Sequence, residues 1–209
     1  MTAKSGRKTP RGLVPTVPPF GDRRRLRIGL LGGSFNPAHA GHVHISVEAR
    51  RRLNLSQVWW LVSPQNPLKP AKDMASFAQR LEGASDAAQE PFIVVTDLEQ
   101  RLGVTRTART LELLAQRYPN VDFVWLMGAD NLAQMPRWWR WIRIFHAARV
   151  AVFDRSPYSY RALAGRAAHR FSRVGKPERL WFHDVPAWTY VAIRRHPASA
   201  TALREHNRR

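Results

Sequence analysis

Cysteine is absent from the 209 residues, which excludes disulfides and thiolate metal sites. No apolar run approaches the roughly 20 residues that a membrane-spanning helix needs, so the chain is expected to be soluble, with no membrane partner. Its first residues lack the long apolar core of a signal peptide, and the cytoplasm is the expected location. Acidic side chains are scarce: 15 Asp and Glu stand against 34 Lys and Arg, a net charge of +19. That excess attracts polyanions, either nucleic acid or small phosphorylated molecules. The basic residues are scattered, apart from Arg23-Arg24-Arg25, Arg50-Arg51-Arg52 and Arg208-Arg209. Zinc-finger spacing and an aromatic RNA-binding signature are both missing, so nucleic acid is not expected as the main partner. Neither the dinucleotide fingerprint G-x-G-x-x-G nor the P-loop G-x-x-x-x-G-K-[ST] occurs.

An apolar content of 44% is enough for one well-buried domain. Residues 1–22 are rich in Pro, Lys, Arg and Gly and read as a mobile tail. The most informative stretch is Arg27-Ile28-Gly29-Leu30-Leu31-Gly32-Gly33-Ser34-Phe35-Asn36-Pro37-Ala38-His39-Ala40-Gly41-His42. It opens as a buried strand would, and glycines and Asn36-Pro37 then break it. From His42 a helix is expected, with Val43, Ile45, Val47 and Ala49 as its apolar surface. Arg50, Arg51 and Arg52 end it, where the backbone dipole favours cations. A helix start exposes unpaired N–H groups and attracts phosphate. Gly32 and Gly33 let a nucleotide approach the backbone. His39 and His42, three residues apart, lie on one side of the first turn and offer imidazole donors to phosphate oxygens. Gly41 between them leaves room for a base or ribose. A second stretch has the same character: Ser199 fits an N-cap, with Thr201 and Arg204 beside it, and such a cluster can hold phosphates. An ordinary capped helix is the alternative there.

Gly33-Ser34-Phe35-Asn36-Pro37 followed by His39-Ala40-Gly41-His42 resembles the nucleotidyltransferase superfamily with an H-x-G-H signature. Within it the chain is most similar to the bacterial nicotinate-nucleotide adenylyltransferases. Ser199-Ala200-Thr201-Ala202-Leu203-Arg204 matches that family's C-terminal motif, and the likeness spans about residues 27–204. Asn36 stands where many relatives have Asp, a departure that leaves the histidines unaffected.

Strands are expected at 57–63, 92–96, 121–127 and 150–153, and a last one at 180–183. Helices are expected at 77–88, 108–118 and 159–171. In the first of these helices Phe77, Leu81 and Ala84 face inward, with Arg80 and Glu82 outside; in the second Leu111, Leu114 and Ala115 face inward. The stretch between Asp97 and Arg106 reads as irregular. Alternation of strands and helices gives a doubly wound α/β fold with a mostly parallel sheet, Rossmann-like. Residues 23–209 form a single nucleotidyltransferase domain in this reading.

The resemblance implies adenylyl transfer from ATP to nicotinate mononucleotide, giving nicotinate adenine dinucleotide and pyrophosphate, a step of NAD biosynthesis. His39, His42 and Arg204 would then be the catalytic donors. Gly33, Ser34, Phe35, Gly41, Lys69, Gly128, Asp130, Ser199 and Thr201 would hold ATP, Ser199 and Thr201 on its β- and γ-phosphates. Thr107 and Trp138 would meet the pyridine nucleotide, the indole stacking on its ring. The turn at Asp154-Arg155-Ser156-Pro157 would border the nucleotide. Mg²⁺ is implied, held mainly by the ATP phosphates rather than by a protein cage. Local readings stand beside several of these roles: Lys69 as a solvated side chain, Thr107 and Asp130 as helix caps; of the neighbouring tryptophans, Trp141 reads as core and Trp139 as either core or a stacking surface. Two other functions remain open at this point. One is a sister adenylyltransferase acting on nicotinamide mononucleotide or a pantetheine phosphate. The other is a basic nucleic-acid-binding protein. A homo-oligomer is compatible with either.

Overall fold

The computed structural model describes residues 26–64, 74–154, 159–194 and 196. The tail at 1–22, Lys69, Arg155, Ser199, Thr201 and Arg204 lie outside the described residues. Seven strands run β1 (Leu26–Gly33), β2 (Gln57–Val62), β3 (Ile93–Thr96), β4 (Val121–Gly128), β5 (Arg149–Phe153), β6 (Ser172–Val174) and β7 (Ala187–Val191). They form one sheet in the order β3-β2-β1-β4-β5-β7-β6, and each neighbouring pair is parallel. The chain builds outward from β1 to β3, then crosses back to lay β4 on β1's other side. That reversal makes the β1/β4 boundary the switch point, whose carboxyl end is where open α/β sheets take ligands.

Both faces of the sheet are covered, as parallel strands require. Alternate residues divide the core. Ile28, Leu30, Phe123, Trp125 and Met127 point to one side, where α4 (Thr107–Arg117), α5 (Ala129–Gln134) and α6 (Trp141–Ala147) bring Leu111, Leu114, Leu132, Ile144 and Phe145. Leu31, Trp60, Val62, Val124 and Leu126 point to the other, beneath α1 (Ala40–Leu53) and α2 (Phe77–Ala87). A four-residue helix α3 (Leu98–Arg101) and two short helices α7 (Ser159–Leu163) and α8 (Arg166–Arg170) complete the fold.

Several local expectations are corrected. Leu180, Trp181 and Phe182 belong to a 3-10 helix at Pro177–Phe182, not to a strand. The strand that pairs with β5 is β7, Ala187-Trp188-Thr189-Tyr190-Val191, which the pattern reading passed over. The helix expected over 159–171 is two pieces, because Gly165 caps the second with extended backbone. On α4, Ala115 is exposed and Ala108 and Thr110 are buried instead. On α1 the buried residues are Gly41, Ser46, Ala49 and Leu53, and Val47 is exposed. The largest departure is Arg80, buried at 3% exposure on a helix face the periodicity gave to solvent.

Candidate active site

The chain leaves β1 through Gly33 and enters α1 at Ala40. Neither Gly32 nor Gly33 is bare of neighbours. A Cβ on Gly32 would lie 2.2 Å from the Trp125 ring, and one on Gly33 would lie 3.3 Å from the Phe35 ring. The missing side chains thus make room for two aromatics of this chain, and the openness the sequence suggested is used by the core. Phe35 itself takes φ 47°, a left-handed conformation costly for a bulky residue. Its ring is 2% exposed, stacks on Trp60 at 5.0 Å and supports His42 at 4.8 Å. Phe35 is thus a packed residue of the turn between β1 and α1.

The helix begins two residues earlier than the apolar pattern suggests, because the histidines themselves cap it. His39 is the N-cap, with extended backbone, and its Nδ1 accepts the Gly41 N–H at 3.1 Å. His42, at the third helical position, returns the favour: its Nδ1 accepts the His39 N–H at 3.2 Å. The pair makes a capping box with imidazoles in place of the usual hydroxyl and carboxyl groups. A backbone N–H only donates, so both Nδ1 atoms are unprotonated and the ring proton sits on Nε2 in each. The rings lie 3.9 Å apart. Below them Ser46 Oγ donates to the His42 carbonyl at 2.9 Å and accepts the Trp60 indole N–H at 2.8 Å. These bonds seat the first turn of α1 on β2.

His39, Gly41 and His42 line an open pocket together with His44, Ile45, Asp154, Ile193 and His196. Asp154 follows the last residue of β5 and receives a hydrogen bond from Ser159 Oγ. His44 Nε2 donates to the Arg194 carbonyl at 2.7 Å, and its ring stands 5.6 Å from that of His196. Sequence reasoning gave no role to His44, Ile193 or His196, and it passed Asp154 only as part of a turn. The usable signal was Asp154's place at the carboxyl end of a strand.

Parallel register brings Gly128 to the same edge as Gly33. β1 pairs with β4 in step, Leu31 opposite Leu126, so Gly33 and Gly128 close adjacent strands at the same end. Gly128 is the N-cap of α5 and Asp130 sits in its first turn, so Asp130 is not the cap. Thr107 is the first residue of α4; Arg106 takes the cap position and makes no side-chain cap bond, which replaces the capping role considered for Thr107. Trp138 follows the 3-10 turn Met135–Arg137 and is half-buried against the core. Trp141 is core at 8% exposure, whereas Trp139 is 43% exposed with the Arg140 guanidinium 4.6 Å over its ring.

A family model described as cytidylyltransferase-like matches residues 30–206. The chain belongs to the cytidylyltransferase-like family. Within the family it belongs with the nicotinate-nucleotide adenylyltransferases. It is 50% identical over 184 residues to a probable nicotinate-nucleotide adenylyltransferase of Gluconobacter oxydans, covering 86% of this chain and 94% of that one. A namesake from Parvibaculum lavamentivorans is 52% identical over 184 residues, covering 86% and 92%. Among solved structures, the Plasmodium falciparum nicotinic acid mononucleotide adenylyltransferase complexed with NaAD superposes with a TM-score of 0.64 at 17% identity, covering 87% of this chain and 83% of that one. At that identity the likeness speaks for the shared fold. In this family member the two motif histidines are at once the helix cap and the walls of the pocket.

Proposed function

We propose that this protein transfers the adenylyl group of ATP to nicotinate mononucleotide. The mononucleotide's phosphate oxygen bonds to the α-phosphorus of ATP, the bond from that phosphorus to the bridging oxygen breaks, and pyrophosphate leaves. A phosphate monoester is already ionised near neutral pH, so no general base is needed. The work is positioning and charge stabilisation.

The observation that carries this reading is the imidazole capping box. In it both Nδ1 atoms accept backbone N–H groups, so each ring carries its proton on Nε2, the atom that would donate to phosphate oxygens at the switch point of the sheet. Gly33, Ser34, Phe35 and Gly41 would supply backbone around the same phosphates, with Gly128 and Asp130 toward the adenosine. Lys69, Ser199, Thr201 and Arg204 complete the proposed ATP contacts by family resemblance. Thr107 and Trp138 would receive the pyridine nucleotide. Among the described residues no group of three or more His, Asp or Glu is set to hold a metal. Mg²⁺ would be held mainly by the triphosphate, where it neutralises charge. An ATP-dependent reaction of this kind fits the cytoplasm.

The test is pyrophosphate release from ATP with nicotinate mononucleotide, nicotinamide mononucleotide and phosphopantetheine supplied in turn. Nicotinate mononucleotide is expected to give the highest kcat/KM. No release with any acceptor, or preference for phosphopantetheine, would refute the proposal.

A further inference from the structure

Arg80 is 3% exposed, yet among the described residues its partners are not carboxylates. Its guanidinium is held by four main-chain carbonyls. Nη1 donates to Ser34 O and Ser63 O, each at 2.7 Å; Nη2 donates to Pro64 O at 2.8 Å; Nε donates to Ala75 O at 3.1 Å. Those carbonyls belong to three separate pieces of chain. Ser34 opens the turn from β1 to the histidines, Ser63 and Pro64 leave β2, and Ala75 leads into α2. Two further bonds join the same pieces: Ser63 N–H to Gly33 O at 2.9 Å, and Ala75 N–H to Asn36 Oδ1 at 3.1 Å.

The physical demand is clear. Carbonyls past the ends of β1 and β2 have run out of sheet partners, and burying them unpaired is costly. A planar guanidinium with five donors can satisfy four of them at once from one stem, and no other side chain can. Because the partners are dipoles, the charge of Arg80 is spread but not cancelled, directly behind the turn that leads to His39.

We propose that Arg80 is a positioning residue for adenylyl transfer: it sets the spacing between the Ser34–His39 turn and the chain leaving β2, and its uncancelled charge favours the anion bound there. The proposal rests on the adenylyl-transfer reading. Nothing in it requires Arg80 to touch a substrate.

Two variants test it. Arg80→Lys keeps the charge and loses the fork; Arg80→Met loses both and keeps much of the stem. Wild-type pyrophosphate release is measured first, so failure of the reaction itself is seen separately from failure of the variants. For Arg80→Lys we expect kcat lower by about 10- to 100-fold, the scale of a small misplacement of reacting groups. The KM for ATP should rise by roughly fivefold or more, which a mere loss of folded enzyme would not cause. Amide exchange should quicken in residues 33–39 and 74–79 while β4 stays protected, a readout that needs no activity. Arg80→Met should be weaker still in ATP binding. Wild-type kcat and KM in Arg80→Lys would overturn the proposal. So would a fall in kcat with unchanged KM, or unfolding of the whole sheet, since each makes Arg80 a stability element only.

Discussion

His42 uses its two ring nitrogens for different tasks. Nδ1 closes the capping box by accepting the His39 N–H, and Nε2, which carries the ring proton, is the atom proposed to donate to phosphate. His42→Ala should therefore show two effects. Turnover at saturating ATP should fall by roughly 10²- to 10³-fold, the scale for one preorganised donor. Stability to urea should fall by about 1 kcal/mol for the lost cap. Near-normal turnover would contradict the assignment. Glu99 makes a second prediction of this size. It is 5% exposed and accepts the Thr110 hydroxyl at 2.8 Å, and burial pushes its pKa up to about 7. The unfolded chain ionises this carboxyl first, near its ordinary value, while the folded chain holds the proton. Stability is thus lost as pH rises from about 4.5 to about 7, by at most about 3 kcal/mol. Glu99→Gln mimics the protonated acid. Urea unfolding should find it more stable than wild type at pH 8, equal to it near pH 4, and flatter in between.

At the scale of elements, the β1–α1 unit is tuned by what fits against its glycines. Gly32 lies under the Trp125 ring, itself 3% exposed and locked in β4. Gly32→Ala would set a methyl 2.2 Å from that ring, so a buried indole in a central strand would have to shift to admit it. The variant should lose about 3 kcal/mol or more, the upper end of overpacking costs, read as a lower urea midpoint. An unchanged midpoint would mean the indole relocates freely. α1 adds the opposite lesson. Its Arg50, Arg51 and Arg52 end the helix as the dipole favours, and Glu48 pairs with Arg51 at 3.0 Å and Arg52 at 3.4 Å on the surface. Such exposed pairs contribute little to stability, so the arginines serve mainly as charge.

For the molecule as a whole, the net charge of +19 is the dominant field. Described carboxylates such as Glu48, Glu112 and Asp122 are already paired with arginines, so the excess remains to act on anions. ATP carries several negative charges and should be drawn toward the pocket. Its kcat/KM is expected to fall by roughly threefold or more between low salt and about 0.5 M salt, where screening shortens the range of the field. No salt dependence with Mg²⁺ and ATP held constant would show that the field does not guide the substrate.

The sequence alone determined the motif histidines, the strand–turn–helix unit around them, the parallel α/β class and the family. Each is a local pattern: a run of apolar residues, a glycine break, a three-residue spacing. Helix bounds were legible to within a residue or two where periodicity was strong, as at α2 and α4. What the sequence did not hold was every decision made by a neighbour distant in the chain. Arg80 looks like a solvated helix residue until the ends of β1 and β2 bring it three carbonyls. β7 was missed because Ala187-Trp188-Thr189-Tyr190-Val191 is mixed in polarity, and pairing with β5 and β6 makes it a strand. Gly32 and Gly33 seemed to open the backbone to a nucleotide, and tertiary packing gave that space to Trp125 and Phe35. Local chemistry writes the motif; the long-range fold chooses which polar groups are left unpaired, and so which side chains must come in to meet them.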